Sequence, residues 1–361
     1  MYPRLLINIE KLKKNIDAVA KITKNDGNCS MMIVTKALCA DRKTAEMIGK
    51  HPAVDYVADS RISNIKTYSE FVRKNGKGTV LMRLPMESEI KDVVRYADIS
   101  FNSEIPTLEM LDKEAGKQGV VHKVVLMIDL GDLREGMFFE NENEIFKAAR
   151  TVLAAKNLEL FGLGTNLTCY GAIIPKHDNL SVLCTWADRI EGKLNIKIPM
   201  ISGGNSSSIY LIPKDEMPER VNNLRLGESF LLGNDTAYCT KLKGTTDDAL
   251  ILEAQIIELK EKPSLPIGEV GVDAFGNRPE YEDRGIIKRV ILAVGQQDTE
   301  QSGLHPLDEK VDVLGASSDH LILDVTGSDK KYKTGDVMQF KMEYGAVLKA
   351  ATSPYVEKVY K

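Results

Sequence analysis

The sequence predicts an α/β protein, a (β/α)8 barrel with a C-terminal all-β domain. Three observations lead there. Apolar, strand-like segments alternate with helix-periodic ones eight times before about residue 235. That span is close to the length of a (β/α)8 barrel. Beyond Cys239 helical periodicity nearly vanishes, and short apolar or alternating runs are separated by Pro, Gly and charged turns. The boundary is expected near residue 237, giving a barrel over 1–237 and a β domain over 238–361.

Taken in order, Leu5–Ile9 reads as a short strand. Glu10–Ile22 reads as an amphipathic helix, with Leu12, Ile16, Val19 and Ile22 on one face. Met31-Met32-Ile33-Val34 then runs into Thr35-Lys36, and helix-forming sequence resumes at Asp41. A continuous apolar run of this kind suits a fully buried parallel strand. Further strands are expected over Asp55–Ser60, Thr79–Leu84, Ala97–Asn102, Lys123–Leu130, Leu158–Asn166, Pro199–Ser202 and Asn223–Leu232. Helices over Ile62–Val72, Glu87–Tyr96, Ile105–Ala115, Asn141–Ala155 and Leu180–Leu194 lie between them. In the second domain, Ala249–Leu259, Lys288–Gly295, His320–Val325 and Asp336–Met342 read as strands.

Composition narrows the class. The chain has 361 residues, 43% hydrophobic and 28% charged, with a net charge of -4. Those proportions suit a soluble globular protein, and the charge argues against a nucleic-acid binder, which carries a basic face. The cysteines, Cys29, Cys39, Cys169, Cys184 and Cys239, are scattered and odd in number. A disulfide framework or zinc site is not expected, and a reducing cytoplasm is. The N-terminal residues carry no signal-peptide pattern. No apolar run approaches the ~20 residues needed to span a bilayer.

Three strand-end features converge on one chemistry. Lys36 ends the first barrel strand, at the open face where barrel chemistry is done. A lysine losing solvation there has a lowered pKa and a nucleophilic neutral amine; the plainer alternative is a lysine that snorkels to the surface. Gly203-Gly204-Asn205-Ser206-Ser207-Ser208 follows the seventh strand, where glycines admit a close backbone approach and serines add donors. Such a stretch nests a phosphate, although a Gly-Ser run alone is usually only a loop. Leu224-Arg225-Leu226-Gly227-Glu228 sets a fixed cation beside that nest. A reactive lysine with a phosphate nest suits a phosphorylated aldehyde cofactor, pyridoxal 5'-phosphate.

On these motifs the chain resembles the alanine racemase-like (fold type III) family of pyridoxal-phosphate enzymes, and within it the alanine/ornithine racemase branch. The resemblance covers the whole chain. It is carried by Val34-Thr35-Lys36-Ala37, by Asp129 to Gly136, by Gly164-Thr165-Asn166-Leu167, by Gly204-Asn205-Ser206-Ser207 and by Arg225-Leu226-Gly227. In the β domain it is carried by Val294-Gly295-Gln296-Gln297-Asp298 and by Leu314 to His320. The resemblance implies Lys36 as the Schiff-base lysine. It implies Asn166, Ser206, Ser207, Arg225, Gly227, Glu228 and Tyr355 around the cofactor. Arg134, Ser318 and Asp319 are implied at the substrate, Arg134 near its carboxylate. Arg225 would face the pyridine nitrogen, and a guanidinium that stays protonated hands it no proton, which favours racemisation over transamination.

One departure from the family matters most. Inversion at an α-carbon needs a proton carrier on each face, and Gln296 stands where the alanine racemases have a tyrosine. His320, oriented by Asp319, is the first candidate to replace it, with Cys169 and Tyr355 behind. A structural histidine in a strand is the competing account of His320. His51, His122, His177 and His305 lie near helix ends or loops and are assigned no role.

The resemblance therefore implies an amino-acid racemase acting on ornithine, lysine or another basic amino acid, in a head-to-tail homodimer without membrane or nucleic-acid partners. Glu228, Asp235, Asp298 and Asp319 are the acids that could meet a distal ammonium. The rival readings are an alanine, serine or broad-specificity racemase and a decarboxylase, which would want an acid where Arg225 stands. A metal-assisted aldolase would need clustered His and Cys. A cofactor carrier would stop after the barrel.

Overall fold

The computed structural model describes all residues, Met1–Lys361. They form two compact units: Leu12–Thr246, and a second assembled from Met1–Lys11 and Asp247–Lys361. No helix is long and apolar enough to cross a membrane.

The first unit is a closed parallel barrel. Its strands are β1 (Ser30–Val34), β2 (Tyr56–Asp59), β3 (Gly78–Leu81), β4 (Ile99–Asn102), β5 (His122–Asp129), β6 (Leu158–Gly164), β7 (Met200–Ser202) and β8 (Asn223–Leu226). Each pairs with the next, and β8 pairs back onto β1 with Arg225 opposite Met32. A minor strand, Met137–Phe138, adds to β5. Met32, Val34, Val80, Phe101, Val125 and Met127 are buried together in one core cluster. Each large apolar side chain taken out of water there contributes roughly 1.5–3 kcal/mol. The apolar runs recognised in the sequence are therefore apolar because helices cover the strands on one face while this core fills the other.

Two barrel elements differ from expectation. The apolar run after β8 does not continue as a strand to Leu232. The backbone turns at Gly227, and Glu228–Leu231 is a short helix. After β1, Lys36–Leu38 forms a tight 3-10 turn, Cys39 and Ala40 take left-handed φ of 53° and 48°, and Asp41 caps the helix Arg42–Lys50 by accepting from Thr44 N at 3.0 Å. Left-handed backbone at consecutive non-glycine residues costs energy and is held only where the surroundings impose it.

The second unit is built on antiparallel pairings around the long strand Leu250–Pro263, which pairs with Ile286–Leu292 on one side and Val337–Met342 on the other. Leu321–Asp324 and Asp312–Ala316 extend one edge, and Leu304–Pro306 the other. Arg4–Ile7 belongs to this sheet rather than to the barrel. It runs antiparallel to Leu250–Glu253 and parallel to Glu357–Tyr360. The division falls after Thr246, with the first residues of the chain on the β side. The unit is not purely β, because Tyr344–Thr352 forms a helix that buries Ala346, Val347, Ala350 and Ala351.

Candidate active site

Of the predicted cofactor residues, Lys36, Asn166, Ser206, Ser207, Arg225, Gly227 and Glu228 follow or end barrel strands, whereas Tyr355 lies in the second unit. Lys36 is half-buried in the turn after β1. Beneath it Thr35 is fixed twice, its N–H donating to Ala58 O at 2.9 Å and its Oγ1 to Asp59 Oδ2 at 2.6 Å. Asp59 is fully buried and also accepts from Arg61 N at 2.9 Å and Asn64 Nδ2 at 3.0 Å. Burial holds its carboxyl above the usual range, and the bonds from Thr35, Arg61 and Asn64 work against that by favouring the ion. The buried Tyr68 hydroxyl lies 3.3 Å from Thr35 Oγ1.

The glycine-serine loop after β7 is a cradle. Gly204 takes φ 113°, and a Cβ there would meet Ser208 Oγ at 2.7 Å, so the turn requires glycine. Ser206 Oγ is used within the protein, accepting from Gly227 N at 3.3 Å and Ser229 N at 3.2 Å and donating to Ser229 Oγ at 3.2 Å. Ser207 Oγ is buried and unpartnered, as are Thr165 Oγ1 and Asn166 Nδ2 at the end of β6. Buried polar atoms without partners are rare in native proteins and ask for a ligand or water. With the glycine turn, these free donors fit a phosphate-bearing, ring-shaped group.

Arg225 is buried, donating through Nη1 to Ser202 Oγ at 2.8 Å and through Nη2 to Thr165 O at 2.6 Å, with Phe101's ring centroid 5.1 Å away. Burial lowers its pKa to about 10, Glu135 pulls it up and Arg134 pushes it down. It remains a cation at neutral pH. Asn166 accepts from Asn205 Nδ2 at 3.1 Å, and the same amide donates to Leu167 O at 2.9 Å and Cys169 Sγ at 3.4 Å. Asn205 thus ties the β7 loop to the β6 loop.

Arg134 is ion-paired to its neighbour Glu135. Burial is the largest influence and opposes its charge, but the bond to Glu135 together with the charges of Glu135 and Asp132 gives a net rise in its pKa. Asp132, buried, accepts from Tyr170 N at 3.1 Å and so joins the β5 and β6 loops. Glu228 accepts from Asn234 Nδ2 at 3.1 Å. Asp235 is fully used by its own loop, accepting from Ala237 N at 3.0 Å, Tyr238 N at 2.8 Å and Thr240 N at 3.1 Å. It is not placed to hold a substrate ammonium.

The second unit gathers a separate cluster. Gln296 N donates to Ser317 O at 2.9 Å and Gln297 N to Ser318 O at 3.0 Å, so the two segments singled out in this domain are bonded together. His320 Nδ1 lies 2.8 Å from Asp319 Oδ1 with its ring partly open to solvent, and the Asp319 pKa is lowered chiefly by that bond. Ser318 Oγ donates to the same oxygen at 3.3 Å. Gln296 spends its Nε2 on Ala316 O at 3.3 Å. Asp298 is buried, accepting from Ser353 Oγ at 2.8 Å and Gly295 N at 3.4 Å, and so is a structural acid, not an ammonium partner. Tyr355 is exposed in the turn before Glu357–Tyr360.

Sequence reasoning gave no role to Asp59, Tyr68, Ser202 and Ser229, and named Asn205 only within the glycine-serine stretch, without its bonds to the β6 loop. An acid ending a strand, as Asp59 does after Tyr56-Val57-Ala58, is the one local signal that pointed to any of them.

Residues 7–234 match the family described as alanine racemase, N-terminal domain. The chain is 52% identical over 358 residues to an ornithine racemase of Acetoanaerobium sticklandii, covering 99% of each protein. It is 38% identical over 362 residues to a lysine racemase of Thermotoga maritima, covering 100% of this chain and 99% of that one. Among solved structures, the alanine racemase from Bartonella henselae with covalently bound pyridoxal phosphate shares the fold at 16% identity, with a TM-score of 0.74 and coverage of 100% of both chains.

Proposed function

We propose, for a chain that belongs to the alanine racemase family and is an amino-acid racemase, ornithine as the substrate and pyridoxal 5'-phosphate as the cofactor. The likeness over the full chain to an ornithine racemase carries the substrate. The free donors at Ser207, Thr165 and Asn166 support the cofactor.

In this reading Ser207, the Gly204 turn and the Gly227 backbone hold the phosphate, while Ser206 braces them. Arg225 faces the ring nitrogen, Asn166 faces the ring, and Lys36 supplies the amine for covalent attachment. Bound there, the cofactor withdraws electrons from the amino acid and acidifies its α-hydrogen. Lys36 Nζ takes or returns the proton at one face of the α-carbon. Arg225, as a lasting cation anchored by Ser202 and Thr165, offers the ring nitrogen no proton. Asp59 and Thr35 hold the backbone of the turn that carries Lys36.

The opposite face is assigned to His320 from a second copy of the chain. An imidazole can both take and return a proton, and Asp319, 2.8 Å from Nδ1, fixes that side and leaves Nε2 for the α-carbon. Ser318 and Asp319 come with it to the substrate. Tyr355 reaches the cofactor from the same partner. Arg134 exchanges Glu135 for the substrate carboxylate. A head-to-tail homodimer follows, the barrel of each copy served by the β unit of the other. The five free cysteines support a reducing cytoplasm.

Pure protein mixed with single enantiomers of ornithine, lysine, alanine and serine, followed by optical rotation, tests the substrate. Ornithine should lose rotation fastest. A faster loss with lysine would favour the second reading, which the 38% identical lysine racemase supports. Loss with alanine alone would overturn both.

A further inference from the structure

We infer that the β unit carries a second, non-catalytic binding site for a diamino acid, in the cavity roofed by residues 264–285. The choice of ligand class rests on the function proposed above; the cavity does not. Its volume is about 540 Å3, within the range of small-molecule sites. Phe275, Tyr281, Ile287, Leu314 and Ile322 give it apolar walls suited to a methylene chain.

Two polar atoms set the chemistry. In this unit only Arg289 Nε and Gln301 Oε1 are buried side-chain polar atoms without a hydrogen-bond partner, and both residues line this one cavity. One is a charged donor and the other a neutral acceptor. Arg289 is anchored through Nη2 to Ser264 O at 3.3 Å and Pro263 O at 3.5 Å, which leaves Nε–H unspent. Leaving such groups unpaired in the buried state is unfavourable. An α-amino acid answers both at once, its carboxylate accepting from Arg289 and its ammonium donating to Gln301.

A third lining group selects for a second cation. Asp273 is consumed by its loop, accepting from Phe275 N at 2.9 Å and Asn277 N at 2.8 Å, and Glu282 is paired with Arg284 at 3.3 Å. Glu280 lines the cavity free of any such bond. It is the carboxylate left for a distal ammonium. The cavity floor includes Leu314 to Ser317. That segment is bonded to Gln296 and leads into Asp319 and His320, so occupancy and the catalytic segment share a backbone.

Equilibrium dialysis of the holoenzyme against racemic ornithine, which turnover leaves unchanged, counts the sites. Two molecules per chain are expected, falling to one in Arg289→Met and in Gln301→Leu. The second variant removes a lone acceptor and should fold as well as the parent. Affinity at the second site should drop at least ~10-fold in Glu280→Gln, and putrescine or norvaline should compete poorly for it. One molecule per chain in the parent and in all three variants would overturn the site, as would a crystal structure with Arg289 Nε bonded to Gln301 Oε1 and the cavity empty at saturating ornithine. Failure of the function reading is separate: L-ornithine would keep its optical rotation, while the count lost with Arg289→Met would persist.

Discussion

Thr35 Oγ1 donates to the buried Asp59 carboxylate at 2.6 Å, one residue before the lysine on which the proposed chemistry turns. The bond joins the ends of β1 and β2 and fixes where the turn begins. Asp59→Ala should lower stability by roughly 1–3 kcal/mol, because Thr35 Oγ1, Arg61 N and Asn64 Nδ2 lose their acceptor. It should also cut kcat on the order of 10- to 100-fold through misplacement of Lys36. Asp59→Asn should retain most of both. Steady-state rates and urea midpoints on the same preparations separate the two effects, and an Asp59→Ala enzyme with normal kcat would detach Asp59 from Lys36.

Ser207 predicts opposite outcomes with and without cofactor. Its hydroxyl is buried and unbonded, so Ser207→Ala should leave the cofactor-free protein unchanged or up to ~1 kcal/mol more stable. Cofactor affinity should fall roughly 5- to 10-fold, the loss of about one hydrogen bond. Thermal melts of the apo form and a fluorescence titration with pyridoxal phosphate read the two arms.

Arg225→Lys preserves a charge but not the planar fork that reaches Ser202 and Thr165 together. A stability loss of about 2 kcal/mol is expected from bonds to a buried cation, with slower racemisation. Unchanged melting would mean that those bonds do not anchor the side chain.

Acid should weaken the barrel through His122. It is buried at the start of β5 with Nε2 2.8 Å from Ser100 Oγ, and burial lowers its pKa from 6.5 to about 4. Between those values the unfolded chain binds the proton that the folded one refuses, so stability falls as pH drops from 6.5 toward 4. The loss by pH 4.5 is on the order of 2–3 kcal/mol. Urea midpoints at pH 7 and pH 4.5 should converge in His122→Gln, apart from what the carboxylates contribute to both proteins.

Mixing Lys36→Ala with His320→Ala should restore activity that neither has alone. In the head-to-tail dimer proposed above, random reassociation would make half the dimers mixed, each with one intact site, so roughly a quarter of the parental activity is expected. No recovery after subunit exchange, verified by mass, would place His320 outside the partner's site.

Much of this was legible in the sequence because it rested on local signals. Lys36 ends an apolar run, Gly203 to Ser208 follow another, and Arg225 stands in a third, so each could be placed on a strand end without knowing its contacts. What escaped notice depends on partners far along the chain. Nothing near Asp59 reveals that Thr35 will meet it, and Asn205 acquires its meaning from Asn166 and Cys169. The element errors have similar causes. The apolar run Phe230-Leu231-Leu232 cannot tell strand from helix by periodicity. Asp312–Ala316 is broken by a bulge between Val313 and Gly315, and the Tyr344–Thr352 helix is too short for its period to stand out.

The strand Arg4–Ile7 has a consequence for how the molecule is made. It is translated before the barrel, yet its hydrogen-bonding neighbours, Leu250–Glu253 and Glu357–Tyr360, both follow the barrel in the chain. The barrel can close on the nascent chain while this strand waits unpaired, because domains fold as units in order of synthesis. Closing so long a loop delays the sheet and leaves an open edge in the interval, where chaperones or a neighbouring chain on the same polysome can engage it.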